Sequence, residues 1–234
     1  MQFDSVVESL LPLIKIYRAN QHCELEGSLG IIDPLTDNFT PGVDFNYFKA
    51  LLGSLSRAKD VWTKSENQAH FVRFNYPGEV RGTYNVTQKP DFIKKTTLRK
   101  LDIKCQDRKY DLRISLRKEQ PLPTYQAKER PIFTRLYERW TYVHKNIWQF
   151  DFSKVSGGTT KEVACNSPPV FEVELELLPI DDIASWSDID IANHIVEKLV
   201  DLLGRFDTDS KPFPLRLSVN KTWTSSQKRA TGVI

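Results

Sequence analysis

Apolar residues recur along the chain with two different periods, and each period predicts a different kind of element. In three segments they recur every three to four residues, which is the spacing of one face of a helix. The helices predicted in this way span 3–18, 44–58 and about 187–203. Asp44 stands where an N-cap is expected, and Gly204 stands where a helix end favours a residue tolerant of positive φ.

Between the helices, apolar residues alternate with polar ones, which is typical of strands with one buried face. The predicted strands lie near 22–30, 69–76, 79–86, 97–105, 110–119, 132–142, 147–155 and 170–178. The segment 156–160 is predicted to be a flexible loop, and no element is predicted after Ser210. About eight strands and a few helices predict one α+β domain over 1–234, built on a largely antiparallel sheet or barrel.

The polar face of the first predicted strand and that of the last are acidic. Glu24 and Glu26 share one face, as do Glu172, Glu174 and Glu176, because a strand sends successive side chains to opposite sides. Neighbours on such a face lie about 6–7 Å apart and repel each other. Rows of carboxylates of this kind therefore need cations opposite them.

Two other predicted strands carry basic polar faces, with Arg113 and Arg117 on one and Arg135 and Arg139 on the other. An ordinary antiparallel sheet with one core face and one solvated face also produces alternation. However, a solvated face usually mixes signs, because directly opposed like charges destabilise a strand pair. The opposite faces are also apolar enough to be covered by helices. We therefore favour a closed barrel whose lumen has an acidic floor and basic walls.

A divalent metal between the carboxylate floor and an anionic ligand would complete the charge balance of such a lumen. Oxygen ligands without nearby His or Cys favour Mg²⁺ or Mn²⁺ over Zn²⁺. The arginine fork suits phosphate, and several arginines suit a polyphosphate better than a single phosphate. The implied chemistry is metal-assisted hydrolysis of a phosphoanhydride.

Composition narrows the partners and the compartment. The chain has 234 residues, with 33 basic and 30 acidic side chains and a net charge of +3. This balance is too weak to indicate nucleic-acid binding by itself. Three scattered cysteines without a Cys-x-x-Cys pair fit a reducing compartment, either cytosol or nucleus, and the four histidines show no zinc spacing. No apolar run is long enough to predict a membrane span.

Several motifs, in order, resemble a known family. They are Glu24-x-Glu26, the segment 111–119, Glu138-Arg-Trp-Thr-Tyr142 followed by 150–155, and Glu172-x-Glu174-x-Glu176. Together they resemble the fungal and protozoan RNA triphosphatases of mRNA capping, which are triphosphate tunnel metalloenzymes. The resemblance implies an eight-stranded antiparallel tunnel with flanking helices and removal of the γ-phosphate from the 5′ end of nascent mRNA. It also implies hydrolysis of nucleoside triphosphates with manganese, a nuclear location, and the mRNA guanylyltransferase as a partner.

The resemblance also implies roles for individual residues. The metal ligands would be Glu24, Glu26 and Glu176. The catalytic residues would be Glu119, Glu172 and Glu174, which position water and hold basic side chains, together with Arg139 and Asp151. The residues that bind phosphates or brace the wall would be Arg81, Arg113, Arg117, Arg135 and Lys100. The chain departs from the family pattern at Tyr137 and Gln149, where basic residues are often found.

Two other functions remain open from the sequence. One is a tripolyphosphatase, or another hydrolase of small triphosphates with the same tunnel fold. The lysine of the bacterial-type motif Glu-x-Glu-x-Lys is replaced by Ser28, so a thiamine triphosphatase or adenylate cyclase is not expected. The other is a non-catalytic domain that binds RNA or protein through a charged sheet. A basic cluster (Lys94, Lys95, Arg99 and Lys100) is expected to be a solvated edge, with RNA contact as the alternative.

Overall fold

The alternating segments of the sequence form strands that close into a barrel. The computed structural model describes residues 2–85, 89–106, 108–178, 185–204 and 216–224. Its strands are β1 (Cys23–Ile32), β2 (Phe39–Pro41), β3 (Lys64–Tyr76), β4 (Val80–Asn85), β5 (Asp91–Gln106), β6 (Asp111–Pro121), β7 (Phe133–His144), β8 (Trp148–Gly158), β9 (Val170–Leu177) and β10 (Arg216–Thr224). Its α-helices are α1 (Gln2–Arg18), α2 (Phe45–Arg57), α3 (Lys161–Asn166) and α4 (Asp188–Gly204).

Eight strands pair in the cyclic order β1, β6, β5, β4, β3, β7, β8, β9 and back to β1. Every pair is antiparallel, so the predicted eight-stranded antiparallel barrel with flanking helices is confirmed. The short β2 pairs with the end of β1, and β10 pairs with the second half of β5. None of the described helices is long and apolar enough to cross a membrane.

Several element boundaries differ from those predicted. β3 begins at Lys64 and β5 at Asp91, both earlier than expected. The first residues of β3 are polar on both faces, whereas in β5 the adjacent apolar residues Phe92 and Ile93 follow Asp91, and neither pattern alternates. The predicted loop at 156–160 is instead the end of β8 followed by α3, whose first turn is capped by the Thr160 hydroxyl accepting from the Val163 N–H. The strand predicted over 79–86 ends at position 86, which lies outside the described residues. The segment 211–214, for which no element is predicted, also lies outside them.

The apolar faces of the barrel strands point outward against α1, α2 and α4. Leu25, Ile114, Phe152 and Val173 are among the side chains buried in this layer. The helix layer approaches very closely at Gly27 of β1, where an added Cβ would lie 2.8 Å from the side chain of Leu199. The polar faces are consequently left to point into the barrel.

Asp44 is the predicted cap of α2, and the structure confirms it. Its Oδ1 accepts from the N–H groups of Asn46 (2.9 Å) and Tyr47 (3.0 Å), and its Oδ2 accepts from Lys109 Nζ (2.6 Å). Burial alone would raise the pKa of Asp44, but the bonds from Lys109, Tyr110 and Tyr47 hold it well below its usual value. The cap therefore contributes its full effect only when ionised.

Replacing Asp44 by alanine should lower the free energy of unfolding at pH 7 by about 1–2 kcal/mol, the usual cost of losing an N-cap. A group whose pKa is lowered on folding stabilises above its unfolded pKa and loses that effect as the pH falls. The difference from the parent should therefore narrow below about pH 4. Urea unfolding at several pH values measures it, with the exposed Asp60→Ala as control. Equal stability at pH 7 would contradict the expectation.

Candidate active site

The barrel encloses a cavity of about 210 Å³ that is lined almost entirely by charged side chains. Six are cationic and six are carboxylates, and the remaining lining residue is Tyr137. The cations are Arg73, Arg81, Lys95, Arg117, Arg135 and Arg139, and the carboxylates are Glu24, Glu26, Glu119, Asp151, Glu174 and Glu176. The cavity thus brings together the acidic and basic strand faces seen in the sequence.

Carboxylates from β1 and β9 are concentrated on one side of the cavity. Glu26 lies directly opposite Glu176 in the β1–β9 register, and Glu24 is two residues away on the same face. Burial and then the charge of Glu26 raise the pKa of Glu24 to about 8. Burial and then the charge of Glu24 raise the pKa of Glu176 to about 9. This side of the cavity therefore holds more carboxyl groups than its neighbouring cations can keep ionised at neutral pH.

The donor chemistry on this side fits a hard divalent cation, because Glu24, Glu26 and Glu176 offer only oxygen. Their side chains would have to rearrange to coordinate one, since no three acidic, His or Cys side chains of the described residues already converge closely enough to hold a metal ion. Glu24 instead forms an ion pair with Lys95, and Glu26 accepts from Arg117 Nη1 at 2.7 Å.

Arg139 of β7 connects three polar groups across β8 and β9. Its Nε donates to Ser153 Oγ at 2.8 Å, and its Nη1 donates to Asp151 Oδ2 at 2.6 Å. Its Nη2 donates to Glu174 Oε2 at 3.2 Å. Burial and then the charge of Glu26 raise the pKa of Glu174 to about 8, although the charge of Arg139 opposes this rise. Arg139 therefore connects β7 to the polar side chains of β8 and β9 that face the lumen.

Comparison with known proteins places this cavity in a family context. The sequence matches the family model described as mRNA capping enzyme, beta chain, over residues 47–211, which is more than half of the chain. The chain belongs to the family of the mRNA capping enzyme beta chain. The matched segment begins after β1 and does not include Glu24 and Glu26. These two residues reach the cavity because β1 pairs with β9 in the barrel.

Solved structures share the fold of this capping-enzyme family member. The RNA triphosphatase Pct1 of S. pombe superposes with a TM-score of 0.68 at 19% identity, covering 86% of this chain and 91% of Pct1. Pct1 in complex with the Spt5 CTD gives a TM-score of 0.69 at 20% identity, with the same coverage. The Mimivirus capping enzyme triphosphatase gives 0.57 at 12% identity, covering 84% of this chain and 96% of that one. A comparison with curated protein sequences finds no match.

Most residues singled out in the sequence line the cavity of this family member. All three predicted metal ligands do so, as do Glu119, Glu174, Arg139 and Asp151 of the predicted catalytic set and Arg81, Arg117 and Arg135 of the predicted phosphate-binding set. Glu172 lies behind the lining, where it is buried and accepts from Arg135 Nη2 at 2.5 Å. Its position is that of a brace for Arg135.

Arg113 and Lys100, which the resemblance placed among the residues that bind phosphates or brace the wall, are not among the residues that line this cavity. Arg113 lies directly opposite Asp102 in the β5–β6 register and donates to both of its carboxylate oxygens, at 2.6 and 2.7 Å. Its Nε and Nη2 groups are therefore occupied by a buried carboxylate. Lys100 lies opposite Ser115 in the same register, outside the lining residues.

Lys95 is a cavity residue that the sequence did not reveal, since it was expected in a solvated basic edge. Its side chain is 7% exposed and forms ion pairs with Glu24 and with Glu119, the latter at 2.6 Å. A register shift between Thr97 and Arg99 explains the error. If side chains alternated regularly along β5, Lys94 would share a face with Lys100 and Lys95 would lie on the opposite face. The register shift reverses the alternation before Arg99, so Lys95 faces the lumen instead. Arg73 of β3 was also missed.

Proposed function

We propose that this chain removes the γ-phosphate from the 5′-triphosphate end of nascent RNA, the first step of cap formation. The observation that carries the proposal is the enclosed cavity in which six cations face six carboxylates. Arg73 and Arg81 form no ion pair with a carboxylate of the described residues and so leave positive charge for an anion, while the crowded carboxyl groups of β1 and β9 offer oxygen ligands for a cation. Membership of the capping-enzyme beta chain family supports a triphosphate end of RNA as that anion.

The arginines would bind and neutralise the phosphates. Burial and then the charge of Arg73 lower the pKa of Arg81, which is the mark of crowded positive charge. A polyphosphate would relieve this crowding through paired N–H···O bonds. Arg135 is held in place by Glu172 and Arg139 by Asp151, so their guanidinium groups are fixed before the substrate arrives. Such preorganisation stabilises the charge that develops on the transferred group.

The finer part of the proposal is a bound Mg²⁺ or Mn²⁺ ion, for which Glu24, Glu26 and Glu176 would supply the oxygen ligands. Such an ion, when bound, would add positive charge beside the transferred phosphoryl group. Lys95 would keep Glu24 and Glu119 in place through its two ion pairs.

Glu174 and Glu119 would orient the attacking water. Glu174 is held by Arg139 and Glu119 by Lys95, and both face the cavity. Each thus offers a fixed carboxyl oxygen that can accept a hydrogen bond from the water, close to the phosphate-binding arginines. Glu172 would act through Arg135 rather than on the water, because it lies behind that side chain.

Phosphate release from triphosphate-ended RNA, ATP and inorganic tripolyphosphate, each with Mg²⁺ or Mn²⁺, tests the proposal. We expect release from RNA with either metal, release from ATP with Mn²⁺, and loss of at least about 100-fold in Glu176→Gln. The exposed Glu162→Gln should behave as the parent. Release from RNA that Glu176→Gln leaves unchanged would contradict the proposal.

A hydrolase of small triphosphates is the second candidate. Among the described residues, the cavity lining offers charged groups and one tyrosine, and these recognise a triphosphate whatever it is attached to. Turnover of tripolyphosphate well above that of RNA would favour this candidate. A nuclear location and the guanylyltransferase as a partner stay predictions from the family resemblance.

A further inference from the structure

The cations that line the cavity differ in whether a carboxylate already neutralises them. Lys95, Arg117, Arg135 and Arg139 each form an ion pair with an acidic side chain. Within the part of the chain that the structure describes, Arg73 and Arg81 line the same cavity without an ion pair to a carboxylate. The positive charge left for an incoming anion is therefore concentrated on β3 and β4.

Arg73 also lies in an unfavourable place for a solvated or purely structural arginine. It is directly opposite Arg135 in the β3–β7 register, and directly opposed like charges destabilise a strand pair. Glu172 neutralises Arg135, whereas Arg73 keeps its full charge. The charge of Arg73 also reaches Arg81, whose pKa is lowered by burial and then by Arg73. An anion between Arg73 and Arg81 would reduce the repulsion of Arg73 with Arg135 and with Arg81.

The aromatic ring of Tyr137 fixes the position of the Arg73 guanidinium. The Arg73 Cζ lies 4.9 Å from the centroid of the Tyr137 ring, and Arg73 Nη1 donates to the Tyr137 hydroxyl at 3.4 Å. On the same ring, the Arg135 Cζ lies 5.0 Å from the centroid. The negative face of an aromatic ring attracts such cations. Phe71 stacks on Tyr137 at 4.6 Å and 10°, which holds the ring in place.

We propose that Arg73 is a phosphate-binding residue of this cavity and that Tyr137 positions it. The inference deepens the proposed function and rests on it for the identity of the ligand as a triphosphate. The Tyr137 ring attracts both Arg73 and Arg135, and together with the Tyr137 hydroxyl it holds the Arg73 fork where it lines the cavity. The phosphate wall then has a guanidinium from β3 in addition to those from β4 and β7.

Binding of adenosine 5′-(β,γ-imido)triphosphate, whose β–γ bridge resists hydrolysis, tests Arg73 separately from turnover. Calorimetry with Mg²⁺ should show affinity about 10- to 100-fold lower in Arg73→Gln, the effect of losing one charge-assisted bond. Arg73→Lys should lie between, because it keeps the charge without the fork. The exposed Arg130→Gln is the matched control and should bind as the parent.

The outcomes separate this inference from the proposed function. Parent-like affinity in Arg73→Gln overturns the inference, and if that variant does not fold, parent-like affinity in Arg73→Lys does so. A parent protein that does not bind the analogue overturns both. A parent that binds it through Arg73 but releases no phosphate from RNA refutes the proposed function alone.

Tyr137 is tested through its coupling to Arg73. Tyr137→Phe keeps the ring and should bind the analogue within about threefold of the parent, since the hydroxyl contact is long. Tyr137→Leu removes the ring, so the effect of Arg73→Gln should become much smaller in the Tyr137→Leu background than in the parent. Independent, additive effects of the two substitutions would overturn the positioning role.

Discussion

Replacing Arg139 by methionine should abolish phosphate release and destabilise the barrel. Arg139 donates to Asp151, Glu174 and Ser153, and the first two are carboxylates that lie within the barrel. Its removal leaves the buried Asp151 without its cationic partner and Glu174 without its ion pair. Removing one partner of a buried ion pair typically costs about 3–5 kcal/mol, because the other charge stays buried and unpaired. Urea unfolding measures this loss.

The loss of activity should exceed what destabilisation alone produces. Asp151 also accepts from Thr141 Oγ1 (2.6 Å) and Gln149 Nε2 (3.1 Å), so it keeps its place when Arg139 is removed. Glu174 has no other ion-pair partner within the described residues, so the acceptor proposed to orient water would lose its fixed position. We expect phosphate release to fall by at least about 100-fold under conditions where the variant is still folded.

Arg139→Lys distinguishes charge from geometry in this network. Lysine keeps a positive charge but cannot reach three acceptors with a planar fork. We expect it to recover most of the stability and little of the activity. The exposed Arg130→Met should change neither. If Arg139→Met keeps parent activity, Arg139 is not the brace that the geometry indicates.

Alternation and charge sign favoured a barrel over an open sheet, and the family resemblance implied the eight-stranded antiparallel tunnel. Period-two patterning identified the segments of all eight barrel strands, and the segregated signs of Glu172–Glu176 and Arg135–Arg139 indicated that the polar faces meet inside. Which side chains of a strand share a face follows from its own sequence, so this inference does not require knowing which strands pair with it. Of the two strands outside the barrel, β2 has only three residues, whereas β10 was not predicted although Leu217, Val219 and Trp223 alternate with polar residues.

Pairing across strands was the part that the sequence could not supply. Arg113 resembles the wall arginines in sequence, but register places it opposite Asp102, which occupies its fork. Lys95 resembles a solvated lysine, but a register shift turns it into the lumen between Glu24 and Glu119. Both outcomes depend on which residue of another strand lies opposite, because buried charges are stable only when they are paired.

Replacing Glu26 by glutamine should have the second large effect, which is on metal dependence and comes in addition to the stability lost with the Glu26–Arg117 ion pair. Glu26 is 6% exposed and lies opposite Glu176 in the β1–β9 register. Burial alone would raise its pKa, but Arg117 and Lys95 hold the pKa well below its usual value, so Glu26 is ionised at neutral pH. Glutamine keeps the shape and an acceptor for Arg117 but removes the charge that attracts a divalent cation.

Loss of Glu26 should raise the Mg²⁺ or Mn²⁺ concentration needed for half-maximal phosphate release and lower the maximal rate. Outer partners of metal ligands already cost about 10- to 100-fold when removed, so a direct ligand should cost at least about 100-fold. The KM for triphosphate-ended RNA should change much less, because Arg81 and Arg135 remain.

Glu66→Gln is the matched control for Glu26→Gln, since Glu66 is a strand glutamate whose side chain is 55% exposed and forms only a long contact to Lys64 at 3.9 Å. It should leave the metal requirement unchanged. If Glu26→Gln instead shows the parent's metal requirement and a higher KM for RNA, Glu26 acts by holding Arg117 for the substrate. Glu26 would then serve to neutralise Arg117 and would not be a metal ligand.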